Sequence, residues 1–170
     1  MYGCKVAFVR NHKFSFIGFI IQVIESLNVL MRYKKFYWMP FYHVSFYDEE
    51  LGRWFDANDG VVSALTDKQF CKRYLTIEEF EFDCEIDHTT REWLLSQVGK
   101  KYSYHAIYTI YRKFKRSWFG IDEPFFEDGD TKFICSELIL KALDQLGFMI
   151  PRESIEITSI EETYQIVRNL

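Results

Sequence analysis

Two β-rich runs set five residues apart constrain this chain more than any other feature. Residues 42–47 (YHVSFY) and 53–57 (RWFDA) flank Asp48-Glu49-Glu50-Leu51-Gly52. Aromatic and β-branched runs this close, joined by a polar loop that ends in Gly, pair as an antiparallel hairpin. A hairpin alone is not stable in water, so the rest of the chain must cover it. Residues 4–10 (CKVAFVR) alternate weakly and predict a short strand. Residues 60–65 (GVVSAL) predict a continuation of the second arm or a third strand, and Phe80 and Phe82, alternating with acids, predict a strand with one wet face.

Helical spacing appears between and after these strands. Ile17, Ile20, Ile21, Ile24, Leu27 and Met31 follow an i, i+3, i+4, i+7 pattern and predict a core helix over 15–32. The same stretch resembles a signal-peptide core. Glu25, Asn28 and Arg32 interrupt it, and no small-residue cleavage site follows, so neither a leader nor a transmembrane segment is expected. Thr89 and Glu92 stand at capping-box spacing with Gly99 placed to end their helix. Residues 102–114 predict another helix, and 134–146 a strongly patterned one ended by Gly147. Thr158 or Ser159 caps a last helix to about Val167. Between them, residues 115–131 change charge from basic to acidic and carry Gly120, Pro124 and Gly129, which suits an irregular insertion. Lying between the Tyr102 and Cys135 regions, that insertion is a candidate cover for a groove; a solvated surface loop is the alternative. The order strand, helix, strands, helices predicts one α+β domain over residues 1–170, an antiparallel sheet packed against helices.

Composition narrows the function classes. A hydrophobic share of 48% against 27% charged residues excludes disorder for most of the chain. A net charge of −4 gives no reason to expect nucleic acid. Cys4, Cys71, Cys84 and Cys135 show no paired spacing, which predicts reduced thiols and a cytoplasmic setting. Cys84 and His88 alone are too few for a metal, and no cofactor is expected.

Cys135 stands in the first turn of its predicted helix, where unpaired N–H groups and the helix dipole favour a thiolate. A buried structural cysteine on the apolar stripe is the bland alternative. His43 heads a strand that alternates His43, Ser45 and Tyr47 against Val44 and Phe46, and a thiolate needs such an imidazole as base and later acid. Asp56, on the return arm, is placed to hold the second ring nitrogen if residues 55–57 pair opposite 42–44. Asn58 is a rival for that role. Tyr102 is a candidate hydroxyl donor to an oxyanion, or else a groove tyrosine.

Taken in order, Gly99-x-x-Tyr102, then Phe133-Ile134-Cys135-Ser136-Glu137-Leu138, then Gly147 to Pro151-Arg152-Glu153-Ser154 resemble the NlpC-type papain-like thiol hydrolases. No histidine follows Cys135. The histidine-bearing hairpin precedes it, an order similar to the circularly permuted branch with the YiiX-type proteins and the lecithin retinol acyltransferase relatives. The resemblance implies a permuted papain-like fold and a cysteine peptidase or amidase. Cys135 is then the nucleophile, His43 the base, Asp56 the third member and Tyr102 the tyrosine near the oxyanion. The implied substrate is a peptide or peptidoglycan-like amide, with no cofactor. A thiol acyltransferase or lipid esterase acting on acyl substrates is the second expectation, and a non-catalytic binding protein the third.

Overall fold

The structure, a computed structural model, describes residues 3–58, 60–103, 132–151 and 158–170. Its centre is a seven-stranded sheet in the order β5-β1-β2-β3-β4-β6-β7. The strands are β1 (Cys4–Asn11), β2 (His43–Asp48), β3 (Arg53–Asn58), β4 (Val61–Leu65), β5 (Tyr74–Phe82), β6 (Lys101–Tyr102) and β7 (Lys132–Phe133). All neighbours are antiparallel except β6 and β7, which run parallel. Five helices are described: α1 (Phe16–Tyr33), α2 (Asp67–Arg73), α3 (His88–Gln97), α4 (Cys135–Gln145) and α5 (Ile160–Arg168).

The alternation of side chains along a strand divides the core in two. Val6, Phe8, Val44, Phe46 and Phe55 point to one face, where Leu138, Ile139 and Leu143 of α4 cover them. Ala7, Val9 and Trp54 point to the other, covered by Phe70 of α2 and by Tyr74. The Trp54 and Phe70 rings stack 3.9 Å apart, and the Trp54 indole N–H donates to Asp67 at 2.7 Å. The short helix α2 is thus clamped to the sheet at both of its turns.

Three expectations need correction, and one helix was not expected. The helix over α1 forms, but only part of its apolar stripe meets the core: Ile21 packs against it, Ile17 and Ile20 are exposed, and Gly18, Glu25, Ser26 and Val29 are the buried residues. Helix α3 is capped by Asp87, whose carboxylate accepts the Thr90 N–H at 2.6 Å, rather than by a Thr89–Glu92 box. Helix α2, which periodicity did not suggest, carries a capping box of Thr66 with Gln69. Tyr102 lies in β6 rather than at the head of a helix; residues 104–114, the 115–131 insertion and its role as a cover lie outside the described residues. Of the two caps expected for the last helix, Ser159 is the one used, in a box with Glu162.

Candidate active site

The β2–β3 ladder pairs Phe46 with Phe55, Tyr47 with Trp54 and Asp48 with Arg53, and then stops. Continuing that register sets Asp56 opposite Ser45 and diagonal to His43. The expected register, with residues 55–57 facing 42–44, is therefore two residues off. A slip of two keeps every side chain on its face, so His43 and Asp56 still meet. Asp56 Oδ1 bonds to His43 Nε2 and accepts the Ser45 hydroxyl at 3.1 Å. Its other oxygen accepts the Tyr74 hydroxyl at 2.9 Å and lies 3.6 Å from the Arg73 guanidinium. Asn58, the rival for the orienting role, donates instead to the Tyr74 oxygen at 2.6 Å. The carboxylate is fully buried, and every one of its neighbours is a donor or a cation.

These contacts fix charge states. Burial alone would raise the Asp56 pKa. The His43 charge, hydrogen bonds from His43 and Tyr74, and the Arg73 charge outweigh it and hold the carboxyl below its ordinary value. For His43, burial works against the imidazolium. The Asp56 charge, the influence of Cys135 and the hydrogen bond the ring donates to Asp56 outweigh burial and push the ring pKa up to about 10. The Tyr74 ring lies 5.3 Å from the imidazole, which leaves the ring little room to turn.

Cys135 is the first residue of α4 and is buried. Ile134 is the cap residue, and it offers no side-chain hydrogen bond to the first turn. The backbone donors at this helix start therefore have no capping side chain competing for them. The sulfur lies near enough to His43 to help raise the pKa of the ring. A small cavity of about 30 Å³ adjoins it, walled by Cys135, Ser136 and Tyr102 with Ile21, Ile24 and Glu25 of α1. That is room for about one water molecule. Tyr102 is half-buried on this wall. The structure thus joins His43 to Asp56 by a hydrogen bond and sets Cys135 and Tyr102 on one cavity wall, with the Cys135 sulfur the link between the two pairs.

Ser45, Arg73 and Tyr74 were missed as site residues. Ser45 was legible, two residues from His43 on the same face. Arg73 and Tyr74 were not, because they reach Asp56 through the junction of α2 and β5, and nothing local marks that approach.

The other thiols are placed differently. Cys71 is exposed, and Cys84 Sγ lies 2.9 Å from Cys4 Sγ, while the His88 ring faces Glu92 at 3.4 Å. Among the described residues no group of three or more His, Cys, Asp or Glu side chains is arranged to hold a metal. Comparison with protein-family models, curated proteins and solved structures gives no match to this chain.

Proposed function

We propose that the protein is a thiol hydrolase of permuted papain-like type that cleaves an amide bond in a peptide or peptidoglycan-like substrate. The observation that carries this reading is the buried relay from Asp56 through His43 to Cys135. An ionised carboxylate holds Nε2, which leaves Nδ1 as the nitrogen for the thiol. Proton transfer from sulfur to Nδ1 gives a thiolate–imidazolium pair. The thiolate attacks the carbonyl carbon, and the oxyanion is met by N–H groups at the start of α4 and by the Tyr102 hydroxyl. The imidazolium then protonates the departing amine. Water, deprotonated by His43, attacks the thioester and frees the acid and Cys135.

Acyl transfer or lipid ester cleavage by the same three residues is the second reading. One observation favours it: helix α1, which walls the cavity with Ile21 and Ile24, carries exposed Phe16, Ile17 and Ile20 close by.

Intact-protein mass spectrometry during reaction with p-nitrophenyl acetate and with amino-acyl p-nitroanilides tests both. The expected result is an acyl adduct on Cys135, absent in Cys135→Ala, with turnover roughly 10²–10⁴-fold lower in Asp56→Asn. A preference for anilides marks the amidase and a preference for long-chain esters the second reading. Equal turnover by wild type and Cys135→Ala refutes both.

A further inference from the structure

The first two turns of helix α1 point apolar side chains outward, while its inward side is held largely by polar groups. Its inward side is tied to the body by hydrogen bonds: Glu25 accepts the Ile160 and Glu161 N–H groups at 3.1 and 3.3 Å, and Asn28 donates to Ser159 at 3.3 Å. Gln22 donates to the Met39 carbonyl at 3.1 Å, and Ser26 accepts the Met39 N–H at 3.0 Å. Gly18 lets the helix sit on the Tyr42 ring, where a Cβ would come within 2.5 Å of a ring carbon. The outward side carries Phe16 (67% exposed), Ile17 (52%), Phe19 and Ile20, with no charged residue among them.

The patch extends past the helix. Phe14 lies 6.1 Å from Phe19, and Phe19 lies 6.0 Å from Trp38, so the rings join the helix start to the segment that follows it. That segment, Lys34-Lys35-Phe36-Tyr37-Trp38, is exposed throughout. Lys13 stands before the helix, with Lys34 and Lys35 after it, and among the described residues none of the three has an ion-pair partner.

We propose that this face docks on the surface of an anionic lipid bilayer. The apolar and aromatic side chains enter the boundary between headgroups and acyl chains, and Lys13, Lys34 and Lys35 meet the lipid phosphates and carboxylates. These lysines are set in a chain of net charge −4, so attraction to an anionic surface also orients the molecule. Lysine is depleted at protein–protein interfaces but suits a rim at the headgroup level, which favours lipid over a protein partner. The inward hydrogen bonds argue that the helix lies in the membrane plane. Although α1 is long and apolar enough to cross a bilayer, crossing would strand Gln22, Glu25, Ser26 and Asn28 without their partners.

Co-sedimentation of the full chain with phosphatidylcholine vesicles, with and without phosphatidylserine, tests this surface. Wild type is expected to sediment with the anionic vesicles. Phe16→Asp with Ile20→Asp should weaken that binding about tenfold or more, with an unchanged far-UV spectrum. Lys34→Glu with Lys35→Glu, which leaves the helix intact, should remove the preference for phosphatidylserine. Met149→Asp, at a 94% exposed residue away from the patch, should bind as wild type does. Failure of wild type to bind either vesicle overturns the proposal, as does binding indifferent to both paired variants. A wild-type dimer in vesicle-free solution that the Phe16→Asp, Ile20→Asp variant splits also overturns it, because the face would then join two copies. None of these readouts depends on Cys135, so the hydrolase reading stands or falls separately.

Discussion

His43 carries the most consequential balance of forces at the scale of single residues. Burial favours a neutral ring, and the Asp56 carboxylate bonded to it favours the charged one. The sign of the pH dependence follows. A raised histidine pKa contributes stability that is full below about 6.5 and fades as pH rises through about 10. The lowered Asp56 pKa contributes stability that is full above about 3.8 and fades as pH falls. Asp56→Asn removes the leading cause of the shift, and burial then prevails. In a ring-nitrogen NMR titration the wild-type midpoint near 10 should fall toward or below the ordinary histidine value; an unmoved midpoint would refute the assigned pairing. Glu25 shows the opposite situation, a carboxyl with no cation paired to it among the described residues. Burial raises its pKa to about 7 despite the hydrogen bonds from the Ile160 and Glu161 N–H groups. Its contribution is therefore full below about 4.5 and is lost as pH rises through about 7. Glu25→Gln loses one acceptor at every pH but removes that slope. Urea melts across the window should show wild type losing ~2–3 kcal/mol relative to Glu25→Gln.

The helix–strand junction of Arg73 and Tyr74 governs the site at the scale of elements. Helix α2 is pinned through Trp54 and Phe70, and the residues where it turns into β5 arrive at Asp56 as a consequence. Tyr74→Phe keeps the ring against Phe70 and His43 but removes one donor to Asp56 and the acceptor for Asn58. A loss of about 1–2 kcal/mol is expected in chemical denaturation, with turnover reduced far less than by Asp56→Asn. The junction also shows where sequence reading stops. His43, Ser45 and Asp56 were readable because a strand repeats every two residues, and that period survives the two-residue error in register. Cys135 was readable from the helix-start pattern of 134–146. For α1 the period told helix but not direction: an apolar stripe looks the same whether it faces a core or leaves the protein. Glu25 and Asn28, which interrupt that stripe, were the signal that a polar side was bound to the body. Helix α2 is seven residues long, too short for a periodic signal, and only Thr66 and Gln69 announced it.

The whole molecule is assembled around a first strand that sits inside the sheet. β1 is flanked by β2, which begins 39 residues after Cys4, and by β5, whose last residue Phe82 pairs with Cys4. Both of its hydrogen-bonding edges thus wait on chain that comes later. The site waits longer still, since Cys135 is the last of its members in sequence. During synthesis the growing chain therefore carries an apolar strand with an open edge, together with the outward-facing α1, before β5 emerges from the ribosome. A ribosome-bound intermediate of this kind is the species most open to aggregation and to capture by a chaperone. The cluster around His43 cannot be completed before Cys135 has been made, so it closes only after every strand of the sheet has been synthesised.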